Sequence, residues 1–405
     1  VTETGRSALA PDSAGTFSAV VERTAVTRLS VTEFRSYGSL KLDLDTRPVV
    51  LTGSNGVGKT NLLEAISFLT PGRGLRRARL AEIGRRDAGE EVSDMVRPWA
   101  VAAQIALGED CYDIGTGCAP DMSGAGRDKR TIKINGEAAK SQSALGRLVA
   151  MQWLTPHMDR LFVDAASGRR RFIDRMIMGL DPEHAGPVSA YEHALRSRNR
   201  LLKDGVTDSH WLASVEDSMV RHGVAVAARR LETIERLRAY CLVGDGPFPD
   251  AKIDMTGELE TWLQELPALA VEDRFRDRLA ASRQMDAVAA SAVVGPHRSD
   301  LTVHYAGTGR AAEECSTGEQ KGLLITLVLA AARMQAEERG YVPLLLLDEV
   351  VAHLDAQRRA ALFDRLRHLG AQAWMTGTDA GHFEPWGSDA QFLTVTAGTV
   401  LAQTC

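Results

Sequence analysis

Hydrophobic and polar positions change their period several times along the chain. From residue 26, TRLSVTEFRSYGSLKLDL alternates, turns at Gly38 and alternates again, as a β-hairpin does, and leads into the apolar strand PVVLTG. KTNLLEAISFL then recurs at helical spacing, so a glycine-rich turn joins that strand to a helix. VAAQIALG and RTIKINGEAA read as further strands, the second with an Asn135-Gly136 turn. Beyond about residue 169 the period becomes helical in RRRFIDRMIMGL, VSAYEHALRSRNRLLKD and HWLASVEDSMVRHGVAVAARRLETIERLRAYCL, and strand character returns at VVGPHRSDLTVHYAG. The four leucines after Pro343 predict a central parallel strand, buried on both faces. The pattern therefore predicts an α/β domain formed by 26–169 and 291–405. A mainly helical insertion at 170–290 splits it, and a patternless polar tail at 1–25 precedes it.

Composition narrows the class. The 405 residues are 44% apolar and 25% charged, enough for a sizeable core. A net charge of −5 offers no global field for nucleic acid, so any such surface must be local. Cys111, Cys118, Cys241, Cys315 and Cys405 are odd in number and lack metal-ligand spacing, which points to a reducing cytoplasm. No apolar run approaches a membrane span.

The glycine-rich turn carries the chemistry. Gly53, Ser54, Asn55, Gly56, Val57, Gly58, Lys59 and Thr60 fit GxxxxGK[ST], whose backbone N–H groups cradle phosphates at a helix N-terminus. Lys59 would reach the β- and γ-phosphates of ATP and Thr60 would ligate Mg²⁺. Asp348, after the four leucines, would complete the metal shell, and Glu349 would polarise the attacking water. Upstream, STGEQ opens what reads as a long amphipathic helix, with Ser316 as N-cap and Glu319 closing a capping box. Its exposed start is read as a second anion site, for a nucleotide held by another subunit. A helix start, a strand ending Asp-Glu and then HLD is the order found in ABC-type ATPases.

VTEFRSYGSLKLDL, GSNGVGKTNLLEAISFL, MQWLTPHMDRLF, GRRRFIDRMI, ALRSRNRLLK, GPHRSDL, STGEQK, LLLLDEVVAHLDAQRR and WMTGTD occur in an order that resembles the RecF family of recombination-mediator ATPases, related to SMC-type and ABC-type heads. The resemblance implies an ABC-type/SMC-head P-loop fold with a helical arm. Ser316, Gly318 and Gln320 would act in trans, with Ser316 beside Lys59 and Glu349 in catalysis. Gln152 would sense the γ-phosphate and Mg²⁺, Arg35 would lie against the phosphates or remain a loop arginine, and Asp355 would link the two sites. Glu319, Ser299 and His353 depart from the family pattern. The switch histidine is absent, leaving Thr376 or Thr378 in its place, which fits slow, DNA-stimulated hydrolysis of ATP to ADP and phosphate. Also implied are an ATP-dependent homodimer, double-stranded DNA near single-strand junctions, and work with RecR and RecO in loading RecA.

Two arginine-rich stretches are candidate phosphate contacts for DNA: Arg76 and Arg77 after the cradle, and Arg169, Arg170, Arg198 and Arg200 at the insertion's start. A solvated or salt-bridged face explains such clusters equally well. A P-loop kinase and an ATPase coupled to a membrane partner remain the alternatives.

Overall fold

Short apolar runs with no room for a polar face become the interior strands of a sheet. In the computed structural model, which describes residues 21–86, 97–119 and 130–402 except 207, 243 and 245, every residue of Val49–Thr52, Leu344–Leu347 and Ala373–Gly377 is buried. Among the described residues they belong to a six-stranded sheet. Its order is Thr399–Ala402, Gln391–Thr396, Val49–Thr52, Ala373–Gly377, Leu344–Leu347, Met151–Leu154, all parallel except the first pair. The alternating segments build a second sheet of seven strands, where Glu22–Phe34 pairs antiparallel with Tyr37–Asp43 and Trp99–Leu107.

Two expectations shift in detail and a third holds. Glu22–Ala25 already belong to the first strand; the rest of the expected tail, residues 1–20, lies outside the described residues. The hairpin turns at Arg35 and Ser36 rather than at Gly38, because Phe34 pairs with Tyr37 and Arg35 takes a positive φ of 52°. Asn135 and Gly136, both at positive φ, form the expected turn.

The insertion is helical, but its roots are sunk in the head. The helices Ala185–Lys203, Ser209–Tyr240 and Ala268–Ala289 enclose a core of their own around Tyr191, Met219, Val224, Trp262 and Phe275. The helix Ala166–Leu180 and the far end of Ser209–Tyr240 pack instead with the strand pair Ala251–Thr256 and Asp300–Tyr305 into the head's core. The self-contained arm thus begins near residue 185, not 170.

The helix Thr317–Arg339 also departs from expectation. Leu323, Leu324, Leu327, Val328, Ala331, Ala332 and Met334 are buried around its whole circumference, so it is a central helix, not an amphipathic one. Its first turn is exposed. Among the described residues no helix is long and apolar enough to cross a membrane.

Candidate nucleotide site

The parallel strands end on one edge, and the chemistry gathers there. After Val49–Thr52 the chain turns through Gly53 (φ 145°), Gly56 (φ 80°) and Gly58 (φ 114°) into the helix Lys59–Ser67. A Cβ at Gly53 would come 2.4 Å from the Val395 carbonyl oxygen, and one at Gly58 2.7 Å from Ser36 Oγ, so glycine is required twice over. Ser54, Asn55 and Gly56 are exposed, leaving the concave backbone open. Lys59 curls over the loop, donating to the carbonyls of Gly53 (2.6 Å) and Ser54 (2.9 Å). Burial lowers its pKa, and the nearby charges of Glu349 and Asp348 resist that change.

Across the sheet edge, the Thr60 hydroxyl lies 3.0 Å from each carboxylate oxygen of Asp348. Thr376 donates to the same carboxylate at 2.8 Å and accepts from the Glu349 N–H at 2.8 Å. Of the two threonines considered for the missing switch, Thr376 therefore touches the acidic pair, whereas Thr378 is exposed beyond it. Burial raises the Asp348 pKa, opposed by the Thr376 and Thr60 hydroxyls. Glu349 sits at φ 48° and His353 at φ 65°, strained positions for residues with side chains. Two hard oxygen donors, Thr60 Oγ1 and Asp348, converge here, which suits Mg²⁺: it binds through a few protein oxygens and otherwise phosphate and water.

The helix Thr317–Arg339 is capped as expected: Ser316 Oγ accepts from the Glu319 N–H and the Glu319 carboxylate accepts from the Ser316 N–H at 2.8 Å. Glu319 is further held by Arg310. Ser316 and Thr317 are exposed and Gly318 is half-buried, but Gln320 is turned inward, donating to the carbonyls of Cys315 and Glu313. Two residues that sequence reasoning missed tie this turn to the next motif. Lys321 donates to the Ala352 carbonyl at 2.8 Å, and Arg358 reaches the Gly318 carbonyl while its own N–H caps onto Asp355 at 2.8 Å.

Other expectations meet different surroundings. Gln152 lies mid-strand beside Leu345, while Asp348 is level with Leu154 at the strand's end; its amide is buried with no hydrogen-bond partner, so it does not reach the phosphate edge. Arg35 spends its guanidinium on Glu64, in a two-pronged pair at 2.8 and 2.9 Å, and on the Glu82 carbonyl, one helical turn beyond Thr60. Arg35 is thus part-buried and paired within its own chain, unlike the exposed loop arginine of the alternative reading. Ser299, placed where the family pattern has an acid, donates to Glu260 at 2.6 Å, so a neighbouring helix brings a carboxylate to that spot.

The six arginines divide sharply. Arg198 is fully buried between Glu216 and Asp286 and cannot touch DNA. Arg169 grips Asp300 and three carbonyls, and Arg170 holds the Ser299 carbonyl, so both stitch the helix Ala166–Leu180 to the strand Asp300–Tyr305. Arg76 is exposed but paired with Glu64 at 3.1 Å. Arg77 and Arg200 are exposed, with no carboxylate partner among the described residues.

Residues 25–397 match the family described as RecF/RecN/SMC N terminal domain. The chain is 46% identical over 382 residues to the DNA replication and repair protein RecF of Mesorhizobium japonicum, covering 93% of this chain and 98% of that one. It is 45% identical over 377 residues to the RecF of Rhizobium meliloti, covering 93% and 98%. A solved structure of the recombination mediator protein RecF with ATP in the RecFOR pathway matches with a TM-score of 0.79 at 22% identity, covering 96% of this chain and 100% of that chain. The last likeness shows the fold.

Proposed function

The chain belongs to the RecF/RecN/SMC family, and from that membership and the geometry of its strand edge we propose an ATP-dependent DNA-binding protein of replication and repair. The observation that carries this reading is the convergence of Thr60 and Asp348, 288 positions apart in sequence, beside an open glycine loop. Lys59 gives up its two loop carbonyls and turns to the triphosphate. Thr60 and Asp348 hold Mg²⁺, which when bound offsets phosphate charge. Glu349 orients the attacking water. Until nucleotide arrives, the charges of Glu349 and Asp348 favour the charged form of Lys59 against its burial.

A single chain leaves the triphosphate's outer face open, and the Ser316 turn, besides capping its own helix, stays exposed. A second copy therefore closes the site: Ser316 and Gly318 face the partner's γ-phosphate, with Asp355 at the junction. The closed homodimer clamps duplex DNA near single-strand junctions through phosphate contacts, with Arg77 and Arg200 as its remaining exposed arginines. Slow hydrolysis, stimulated by DNA, opens it. In this role the protein acts in the cytoplasm with RecR and RecO to load RecA.

Sedimentation with ATP, with ADP and without nucleotide, each with and without duplex DNA, tests the reading. A dimer is expected only with ATP and Mg²⁺, and DNA retention only under the same condition, falling steeply with salt. Ser316→Arg is expected to abolish both hydrolysis and the ATP dimer. Unaltered turnover in that variant would sink the two-chain site and favour a self-contained kinase.

A further inference from the structure

A cleft of about 1180 Å³ opens beside the nucleotide site, with Thr60, Asp348 and Glu349 in its lining. Arginines share that lining. Arg171 and Arg175 stand one turn apart on the helix Ala166–Leu180, and Arg73 and Arg77 approach from the loop after the cradle helix. Among the described residues, no carboxylate pairs with any of these four.

Of the acids that share the cleft, all but Glu349 are already engaged. Asp174 is gripped by Arg230 and His184, Asp164 by Arg160, Glu192 by Arg196, and Asp348 by two threonines. Arg76, the remaining cation, is taken by Glu64. Local positive charge is therefore left over on four side chains that crowd one another: burial and the like charges of Arg171 and Arg73 press the Arg77 pKa down.

Arg175 carries a buried donor without a partner. Its guanidinium lies 4.4 Å above the Trp153 ring and 5.2 Å from that of Phe172, and donates only to the Trp153 carbonyl, at 3.2 Å. Its Nε is buried and has no hydrogen-bond partner. Unspent donors on a buried cation, beside a second unpaired guanidinium four residues earlier, make a site that lacks its anion.

We propose that Arg171 and Arg175 form a second phosphate site, distinct from the glycine cradle, which takes a phosphate-sized oxyanion in the cleft. The chemistry admits two sources: inorganic phosphate leaving the nucleotide site past Glu349, or a phosphodiester of a nucleic acid strand. Only the first source rests on the hydrolysis proposed above. The shared lining favours it, because a product released beside Asp348 and Glu349 is repelled by their carboxylates and drawn towards the arginines.

The test titrates inorganic phosphate into ADP-loaded protein by calorimetry, so that the cradle is already filled. One further phosphate per chain is expected, weakened at least tenfold by Arg175→Gln and by Arg171→Gln, with ADP affinity within twofold of the parent in both variants. Arg171 is exposed, so its variant keeps the fold if Arg175→Gln does not. A ten-nucleotide oligomer without terminal phosphate distinguishes the sources: competition assigns the site to phosphodiesters, and its absence assigns it to inorganic phosphate. No phosphate bound beside ADP, or binding unmoved by Arg171→Gln, overturns the site. If ADP itself fails to bind, the nucleotide reading falls, and the same titration on nucleotide-free protein still decides the cleft.

Discussion

The interior of the arm and the strand edge of the head use similar charged groups to opposite ends. In the arm, Arg198 donates from Nε to Glu216 at 2.8 Å, from Nη1 to Asp286 at 2.7 Å and from Nη2 to the Leu279 carbonyl at 2.8 Å. Glu216 is closed off by Arg283, and Asp286 by Ser282 and the Val293 N–H. Nothing there is left to bind. At the strand edge, Lys59 holds only carbonyls of its own loop, and Glu349, on a strained backbone, has a carboxylate with no hydrogen bond among the described residues. Completed pairing marks the arm as architecture. Unfinished pairing, kept open by a rigid sheet beneath, marks the head as the place where a ligand finishes the job.

Exchanging one residue from each side should therefore separate function from stability. Glu349→Gln should lower ATP hydrolysis by a hundredfold or more while prolonging the ATP-bound dimer, with thermal stability unchanged; steady-state phosphate release and sedimentation check it. An equally active variant would move water orientation to another residue. Next in size, Arg198→Met strands Glu216 and Asp286 without their cation and should cost about 3–5 kcal/mol of stability. Urea unfolding measures that, and nucleotide affinity, measured where the variant is folded, should stay within twofold. If affinity collapsed with native stability intact, the arm would be part of the site.

Local features were legible in the sequence because a few neighbouring residues determine them. The strand–glycine turn–helix, the Asp-Glu after four leucines and the Ser316 capping box each fit within a dozen positions, and each is present in the structure. What escaped depends on distant partners. Arg198 reads as a cation on a helix until Glu216, 18 positions on, and Asp286, 88 positions on, close around it. Gln152 was assigned by family likeness, which does not show that its amide lies buried in mid-strand without a partner. Arg171 and Arg175 carried a usable signal in their four-residue spacing, overshadowed by Arg169 and Arg170 in the same run. The helix Thr317–Arg339 reads as amphipathic from its capped start, yet its run LLITLVLAAA already called for burial on all sides.

A smaller effect concerns the joint between arm and head. Tyr191 on the arm donates to His297 Nδ1 at 2.6 Å, and His297 Nε2 donates to the Ala292 carbonyl at 2.9 Å, which fixes a neutral ring. Burial pushes the His297 pKa down from 6.5 to about 4. The unfolded chain then takes up a proton before the folded one does. Stability should fall as pH drops from about 6.5 to 4 and level off below, by about 3 kcal/mol in total. Urea titrations across that window test it, and His297→Asn should flatten the slope. A slope unchanged in the variant would place the pH dependence elsewhere.

The smallest change probes where architecture and function meet in one side chain. Asp355 caps the helix Ala356–Leu369 through the Arg358 N–H, and it lies exposed beside the Ser316 turn that Arg358 bridges. As a cap alone it contributes about 1 kcal/mol, so Asp355→Ala should lower stability by that amount. Serine caps helices nearly as well as aspartate but carries no charge, so Asp355→Ser should restore the stability. The ATP-dependent dimer should not recover with it, because serine lacks the carboxylate proposed to connect the two nucleotide sites. Sedimentation with ATP then reads the difference directly. A serine variant that dimerises like the parent would confine Asp355 to capping, within the contacts by which Lys321 and Arg358 tie the Ser316 turn to this helix and the segment before it.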